Sequence, residues 1–331
     1  MKAMTIREYG DPSVFQLSEL PKPILESNQV LIKVAASSVN PIDTKIRSGL
    51  VPAATPPFPA VLNVDVVGEI IDMGPEVQGL NVGDRIVAMG GGVKGHDGAL
   101  AEFMRVEQAF VAKVPKSVTT EEAAVMPVVG LTAWEALVTR AAVKPGQKVL
   151  IHGGAGGVGH IALQMAVSMG AEVTVTVSND AKAQIANKLG AQHIVNYKTQ
   201  SVKEYVDKNT DGLGYDVIFD TVGGQNLINS FEAAAVNGII VTTNARSTND
   251  LSLMHGKGLT LHVVFLLVPL IYGKNKELVG QNLESIMKLI EDKKLTPMIH
   301  AKSFGFTNVK EAHELLEKGG HVGKISLVND L

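Results

Sequence analysis

The pattern of apolar and polar positions divides the chain into two parts with different periodicities. In the first 120 or so residues, apolar and polar residues alternate over short runs, which predicts strands at 30–36, 61–72 and 84–88. Clusters of glycine and proline separate these runs, as expected of turns. Residues 1–124 are therefore predicted to form a β-rich domain.

From about residue 125, helical patterns alternate with short β-branched runs. The runs around Val149, Val173, Ile194, Ile218 and Ile240 predict successive strands, and patterns such as 181–189 and 227–235 predict helices between them. This alternation is typical of an α/β fold with a doubly wound parallel sheet. Residues 125–265 are assigned to that domain.

The last segment, 266–331, predicts helices at 276–292 and 309–317 and a closing strand at 324–328. It has no sheet of its own to complete. We therefore expect it to return to the first domain.

Composition narrows the possible functions. The chain has 331 residues, 45% of them hydrophobic and 19% charged, which suits a two-domain globular protein. The net charge of −3 gives no electrostatic case for nucleic acid. The absence of cysteine excludes disulfides, thiolate catalysis and cysteine-ligated zinc. The N-terminus lacks the apolar run of a signal peptide, and the run 263–272 is too short to span a bilayer, so a cytoplasmic location is expected.

Glycines after the Val149 strand predict a dinucleotide site. In a G-x-G-x-x-G motif between strand and helix, Gly154 permits a tight turn, Gly156 lets the backbone approach a pyrophosphate, and Gly159 lets the helix pack closely. The helix N-terminus adds N–H groups and partial positive charge. The intervening Ala155, Gly157 and Val158 are assigned to the same site. The alternative is a glycine turn with only a structural role.

The end of the next strand favours NADPH. NAD enzymes usually place an Asp or Glu there to bind the ribose hydroxyls, whereas here Val177 is followed by Ser178 and, four residues later, Lys182. Hydroxyl and ammonium groups would accept a 2′-phosphate that a carboxylate would repel. Two alternatives stay open: Lys182 as a solvated helix residue, and Asp180 as the ribose acid.

Several motifs, in order along nearly the whole chain, carry a resemblance to a known family. They are the segments 39–49 (VNPIDTKIRSG), 82–87 (VGDRIV), 130–137 (GLTAWEAL), 152–159 (HGGAGGVG) and 323–325 (GKI). The chain resembles the zinc-free quinone oxidoreductase (ζ-crystallin-like) branch of the medium-chain dehydrogenase/reductase superfamily. The resemblance implies a GroES-like substrate domain and a Rossmann NADPH-binding domain.

Departures from the zinc enzymes of that superfamily imply a metal-independent reaction. Those enzymes carry a cysteine near residues 37–40 and a G-H-E tripeptide where this chain has Asn63-Val64-Asp65. Without a Lewis acid, alcohol oxidation is disfavoured. Hydride transfer to a quinone or an α,β-unsaturated carbonyl needs no strong acid. The expected function is an NADPH:quinone oxidoreductase; the alternatives are an enoyl or alkenal reductase, and a low-turnover NADPH-binding protein.

The resemblance also implies roles for individual residues. Asn40 and Thr132 match positions beside the nicotinamide and are the expected catalytic residues, and Tyr197 and Lys324 are expected to bind the cofactor. Asn244 and Arg246 are expected to bind it for another reason: they follow the predicted strand at 238–243, at the carboxyl edge of the sheet, where ligands bind. Taken alone, Asn40 would be a turn residue before Pro41, Thr132 a helix cap, and Tyr197 a strand-edge tyrosine.

The segment 259–267 predicts a homodimer. It is apolar and follows the last clear strand of the nucleotide domain, so it would form an exposed sheet edge that a second copy covers. The alternative is that it lines the substrate cleft or packs under the helix at 276–292.

Overall fold

The structure, a computed structural model, describes all 331 residues. Its strands are β1 Lys2–Ile6, β2 Gln16–Glu19, β3 Gln29–Ser38, β4 Ala60–Val61, β5 Asp65–Met73, β6 Arg85–Met89, β7 Phe103–Glu107, β8 Val111–Lys113, β9 Lys148–His152, β10 Glu172–Val177, β11 His193–Asn196, β12 Tyr215–Asp220, β13 Ala234–Thr242, β14 Thr260–Val263, β15 Phe304–Gly305 and β16 Ser326–Val328. Its α-helices are α1 Pro41–Arg47, α2 Thr120–Ala124, α3 Pro127–Trp134, α4 Gly159–Ser168, α5 Asp180–Lys188, α6 Val202–Thr210, α7 Asn226–Ala233, α8 Ser252–Lys257, α9 Val268–Tyr272, α10 Glu277–Glu291 and α11 Val309–Lys318.

The chain divides into two compact units. The first comprises Met1–Leu131, Leu267–Lys293 and Pro297–Leu331, and the second comprises Thr132–Leu266 with Lys294–Thr296. The boundaries expected from the sequence lay after residues 124 and 265.

The first unit is β-rich. Its seven-stranded sheet has the order β15-β16-β3-β5-β6-β8, with β7 also paired to β3, and β1, β2 and β4 form a separate sheet. The tail joins this unit because β16 pairs antiparallel with β3, opposing Ser326 to Ser38.

One strand expected in this unit is interrupted. Instead of a continuous strand over 61–72, β4 ends at Val61 and β5 begins at Asp65. Asn63 between them has a φ of 72°, a left-handed conformation that asparagine tolerates better than most residues. Its side-chain amide donates to the Ser38 carbonyl at 2.9 Å, which fixes the turn.

The second unit is the predicted doubly wound sheet. Six parallel strands lie in the order β11-β10-β9-β12-β13-β14, so the winding direction reverses between β9 and β12. Ligands bind at the carboxyl ends of strands at such a switch point. The α/β fold with a separate β-rich domain is thus confirmed. Within this unit, the helix expected at 227–235 gives way to β13 at Ala234, and Glu135–Arg140 continues α3 as a π-helix.

The segment 259–267 is only partly extended. β14 is the edge strand of the six-stranded sheet and covers Thr260–Val263 alone. Val263 and Phe265 are 48% and 44% exposed, whereas Val264 between them is 5% exposed.

No helix in the structure is both long enough and apolar enough to cross a membrane.

Candidate functional site

The glycine turn after β9 has the geometry of a phosphate-binding loop, but the individual glycines have partly different roles from those predicted. Gly153, not Gly154, takes the left-handed conformation, with a φ of 73°. A Cβ on Gly154 would lie 2.4 Å from the Val175 Cβ, so this glycine lets the turn pack on β10. A Cβ on Gly159 would lie 2.1 Å from the Gly153 carbonyl oxygen, which allows α4 to start directly behind the turn. A Cβ on Gly156 would meet only the Gly153 oxygen, at 3.2 Å, so its outer side is open.

A cavity of about 300 Å³ lies beside this turn, at the carboxyl ends of β9, β10 and β11. Five of the predicted cofactor-binding residues line this cavity: Ala155, Gly156, Ser178, Lys182 and Tyr197. Further polar groups line it that the sequence did not single out: His152, Thr176, Gln200, Asn226 and Asn229. The lining includes one cation and no carboxylate.

The side chain of Lys182 is available to a ligand. Its backbone N–H donates to the Asn179 side chain at 3.0 Å, which starts α5, while its ammonium forms no ion pair. Tyr197 is 56% exposed at the end of β11. Asp180, the alternative ribose acid, is exposed and does not line the cavity.

The other predicted cofactor-binding residues do not line this cavity: Gly154, Gly157, Val158, Gly159, Asn244, Arg246 and Lys324. Asn244 and Arg246 are exposed in the segment after β13, and the Asn244 amide donates to the Val222 carbonyl at 3.1 Å. Their cofactor contacts stay predictions.

Buried acid–base groups support the loops around the cavity. Asp220, at the end of β12, accepts the backbone N–H groups of Val222 and Gly223 at 2.9 and 2.8 Å, and the Ser230 hydroxyl at 3.0 Å. It therefore acts as a hydrogen-bond acceptor that shapes the loop. Burial lowers the pKa of His152, so its ring is neutral at physiological pH.

Asn40, the predicted catalytic residue of the first unit, belongs to a buried polar cluster. Its amide nitrogen donates to Asp65 Oδ2 at 2.7 Å, and its amide oxygen accepts from Lys324 Nζ at 2.5 Å. Asp65 also accepts the Ser38 hydroxyl at 2.5 Å and the Val128 N–H at 2.8 Å. Asn40 is 1% exposed and Asp65 fully buried.

Lys324 has partners that the cofactor prediction did not include. Its ammonium donates to the Val39 carbonyl at 3.0 Å and lies 3.9 Å from Asp65 Oδ2. The side chain is almost wholly buried in the first unit. None of these contacts points to a cofactor phosphate, so that role stays a prediction.

A second buried carboxylate, Asp43, completes the cluster. One oxygen accepts the Asn40 backbone N–H at 2.7 Å, while the other has no hydrogen-bond partner. Burial, reinforced by repulsion from Asp65, raises the pKa of Asp43 from 3.8 to about 7. Asp43 and Asp65 were not assigned to the site from sequence. The available signal was the position of Asp65 within the tripeptide that replaces G-H-E.

The raised pKa of Asp43 predicts a pH-dependent stability difference. Folding favours the protonated acid, so its stabilising contribution is complete below pH 3.8 and is lost as pH rises towards 7, by up to about 1.4 kcal/mol per pH unit. The Asp43→Asn variant cannot ionise there. Denaturant unfolding should therefore show its stability rising relative to the parent between about pH 4 and 7.

Asp84→Asn is the control, because the hydrogen bond from Lys113 lowers the pKa of Asp84. Its stability relative to the parent should fall slightly over the same range. A flat difference for Asp43→Asn would show that the carboxyl ionises in the folded protein as easily as in water.

Thr132, the other predicted catalytic residue, lies in α3 and is 6% exposed. It is the first residue of the second unit. Its catalytic role stays a prediction.

Comparison with known proteins agrees with this architecture. Residues 26–116 match the alcohol dehydrogenase GroES-like domain, and residues 157–279 match the zinc-binding dehydrogenase family. A 2-methylene-furan-3-one reductase from Solanum lycopersicum is 30% identical over 98% of this chain and 78% of its own length. The crystal structure of an alcohol dehydrogenase superfamily protein from Novosphingobium aromaticivorans is 34% identical, with a TM-score of 0.94 over 99% of both chains. The Escherichia coli quinone oxidoreductase complexed with NADPH is 27% identical, with a TM-score of 0.87 over 99% of this chain and all of its own.

The chain belongs to the zinc-free, quinone oxidoreductase-like branch of the medium-chain dehydrogenase/reductase superfamily.

Membership of this superfamily raises the question of a zinc site, which the donor set does not fit. The chain has no cysteine, and no group of three or more His, Asp or Glu side chains is placed to hold a metal ion. In the segments compared with the zinc enzymes above, Ser38 donates its hydroxyl hydrogen to Asp65.

The nicotinamide cofactor that this superfamily implies does fit. The open side of Gly156 and the start of α4 suit a pyrophosphate, and the cavity offers a free ammonium without a carboxylate. The family membership and this turn establish a nicotinamide-dependent oxidoreductase.

Proposed function

We propose that this protein is an NADPH-dependent, zinc-independent reductase that transfers hydride to a quinone or an α,β-unsaturated carbonyl compound. The observation that carries the cofactor choice is the lining of the cavity, where Lys182 is the only charged side chain. An adenosine 2′-phosphate is dianionic, so a carboxylate-free wall with an unpaired ammonium favours it over a ribose hydroxyl.

Each part of the site has a role in this proposal. The α4 N-terminus binds the pyrophosphate, and Ser178, Lys182 and Tyr197 bind the 2′-phosphate. Bound NADPH supplies a hydride. Asn40 and Thr132 donate hydrogen bonds that orient the acceptor and stabilise the developing oxyanion.

The acceptor class follows from the chemistry that these residues can support. An amide donor such as Asn40 or a hydroxyl donor such as Thr132 is sufficient for an electrophile whose oxyanion is delocalised, and no group of side chains is placed to hold a metal ion. The names of the tomato and E. coli relatives support an enone and a quinone, respectively.

The test is steady-state oxidation of NADPH with a panel of quinones, enals and enones. We expect turnover with at least one quinone or enone and none with simple saturated ketones. Preference for enals and enones would make the protein an alkenal or enoyl reductase on this scaffold. Tight NADPH binding without turnover on any acceptor would instead identify an NADPH-binding protein and refute the proposed reaction.

Zinc independence gives a separate prediction. Elemental analysis of the purified protein should find no stoichiometric zinc, and incubation with a chelator should leave NADPH oxidation unchanged. One tightly held zinc per chain would overturn the assignment.

We also propose that the protein is a homodimer joined through residues 259–267. β14 is an edge strand with unpaired backbone groups, and the side chains of Val263 at its end and of Phe265 just after it are exposed. Light scattering should give twice the 35.0 kDa chain mass. The variant Val263→Lys should lower that mass towards the monomer, and Leu213→Lys, at a position 77% exposed elsewhere in the same unit, should not. A concentration-independent monomer of the parent would contradict the proposal.

A further inference from the structure

The amide of Asn40 lies between two opposite charges. Its nitrogen faces the Asp65 carboxylate and its oxygen faces the Lys324 ammonium, at 2.7 and 2.5 Å. All three side chains lie in the first unit and are at least nine-tenths buried. Water therefore screens this arrangement very little.

The hydrogen bonds of Asp65 favour its carboxylate form. Its two oxygens accept from Ser38 Oγ, Asn40 Nδ2 and the Val128 N–H, and of these partners only the Ser38 hydroxyl could accept a carboxyl proton in return. Lys324 Nζ likewise has only acceptors nearby: Val39 O, Asn40 Oδ1 and Asp65. Burial raises the pKa of Asp65 and lowers that of Lys324, and these contacts oppose both changes.

This charge arrangement selects one orientation of the amide. Rotating it by half a turn would place the oxygen against the carboxylate and the NH₂ group against the ammonium. Both contacts would be repulsive in a low-dielectric interior. The amide nitrogen has two hydrogens. One is held by Asp65, so the direction of the second is fixed as well.

We propose that Asp65 and Lys324 are positioning residues that fix the amide of Asn40 for hydride transfer. The inference rests on the proposed function, in which the second N–H of Asn40 donates to the developing oxyanion. A donor whose direction is fixed before the reaction needs no reorganisation as charge develops. Both side chains act through Asn40 in this proposal, and the cofactor contact predicted for Lys324 from the sequence would instead appear as a raised KM for NADPH when Lys324 is replaced.

Stability and positioning can be separated by removing both charges together. Lys324→Met or Asp65→Asn alone leaves an unpaired buried charge, which is strongly destabilising. The double variant Asp65→Asn/Lys324→Met keeps a similar volume and should fold, with Asp43 as the one remaining carboxyl of the cluster. Because the pKa of Asp43 is raised to about 7, the variant is compared with the parent at pH 6, where that carboxyl is mostly protonated. With no charges beside the amide, both of its orientations become accessible.

The experiment measures kcat, KM for NADPH and the thermal midpoint of the double variant. We expect a midpoint close to that of the parent, an unchanged KM for NADPH, and a fall in kcat of about tenfold to a hundredfold, below the loss of a donor outright. The control is Glu107→Gln/Lys276→Met, which removes an ion pair of the same unit outside the cluster. It should leave kcat unchanged.

The fixed orientation of the Asn40 amide can also be tested by NMR in the resting protein, without turnover. With ¹⁵N-labelled asparagine, the side-chain amide of Asn40, identified by its loss in Asn40→Ser, should show one hydrogen strongly downfield and protected from exchange. In the double variant both features should disappear.

The outcomes are distinguishable. A parent without turnover on any acceptor refutes the proposed function. A parent with turnover and a folded double variant within twofold of its kcat refutes positioning. If the Asn40 amide of the folded double variant keeps the downfield, exchange-protected hydrogen of the parent, positioning is refuted whether or not the parent turns over.

Discussion

Gly156→Val is expected to fold like the parent and to lose NADPH affinity by about a hundredfold or more, roughly 3 kcal/mol. Gly156 lines the cavity, and a Cβ there would meet only the Gly153 carbonyl oxygen, at 3.2 Å. The unliganded turn can therefore accept the side chain with a small adjustment. A bound pyrophosphate cannot, because its approach to the backbone depends on the missing Cβ. The measurement is a calorimetric titration with NADPH, alongside the thermal midpoint.

Two other glycine variants serve as comparisons for Gly156→Val. In Gly159→Ala the new Cβ would lie 2.1 Å from the Gly153 oxygen, so stability itself should fall. In Gly256→Ala, within α8, the new methyl meets nothing within 4 Å, so both stability and NADPH affinity should be preserved. Parent-like NADPH affinity in Gly156→Val would mean that the pyrophosphate does not bind at this turn.

Lys182→Ala should reduce the preference for NADPH over NADH by about tenfold to a hundredfold, or roughly 1–3 kcal/mol. The affinity for NADH should barely change, because that cofactor lacks the 2′-phosphate. The parent should bind NADPH more tightly than NADH by a similar factor. The control is Lys188→Ala, in the last turn of the same helix, which removes one positive charge outside the cavity.

Equal affinity of the parent for both cofactors would show that the assignment of Ser178, Lys182 and Tyr197 is wrong. If the parent prefers NADPH clearly and Lys182→Ala keeps the same preference for NADPH over NADH, the 2′-phosphate is bound by Ser178 and Tyr197 and not by Lys182.

The α/β organisation was predictable because its signals are local. The glycine turn, the β-branched runs and the intervening helical patterns each depend on neighbouring residues, and they recur at β9, β10, β12 and β13. Errors arose where a tertiary contact overrides a local pattern. The apolar run 61–72 predicted one strand, yet Asn63 adopts a left-handed conformation held by the Ser38 carbonyl, 25 residues away.

The site was predictable to a smaller extent. Ser178, Lys182 and Tyr197 line one cavity, because consecutive parallel strands bring their carboxyl ends to the same edge. The hydrogen-bond partners of Asn40 could not be predicted from the spacing of residues in a local motif, because Lys324 is 284 residues away in the sequence. Nor does sequence show that burial beside Asp65 raises the pKa of Asp43.

The most direct test of the account follows the hydride itself. In single-turnover reactions with an enone, NADPH deuterated at C4 on one face or the other is mixed with excess enzyme, and the product is analysed by mass spectrometry and NMR. We expect one of the two labelled cofactors to deliver one deuterium to the β-carbon of each product molecule, with the α-hydrogen taken from solvent. Oxidation of NADPH with no deuterium in the reduced product, or no reduction of the enone or of a quinone under the same conditions, would contradict the account.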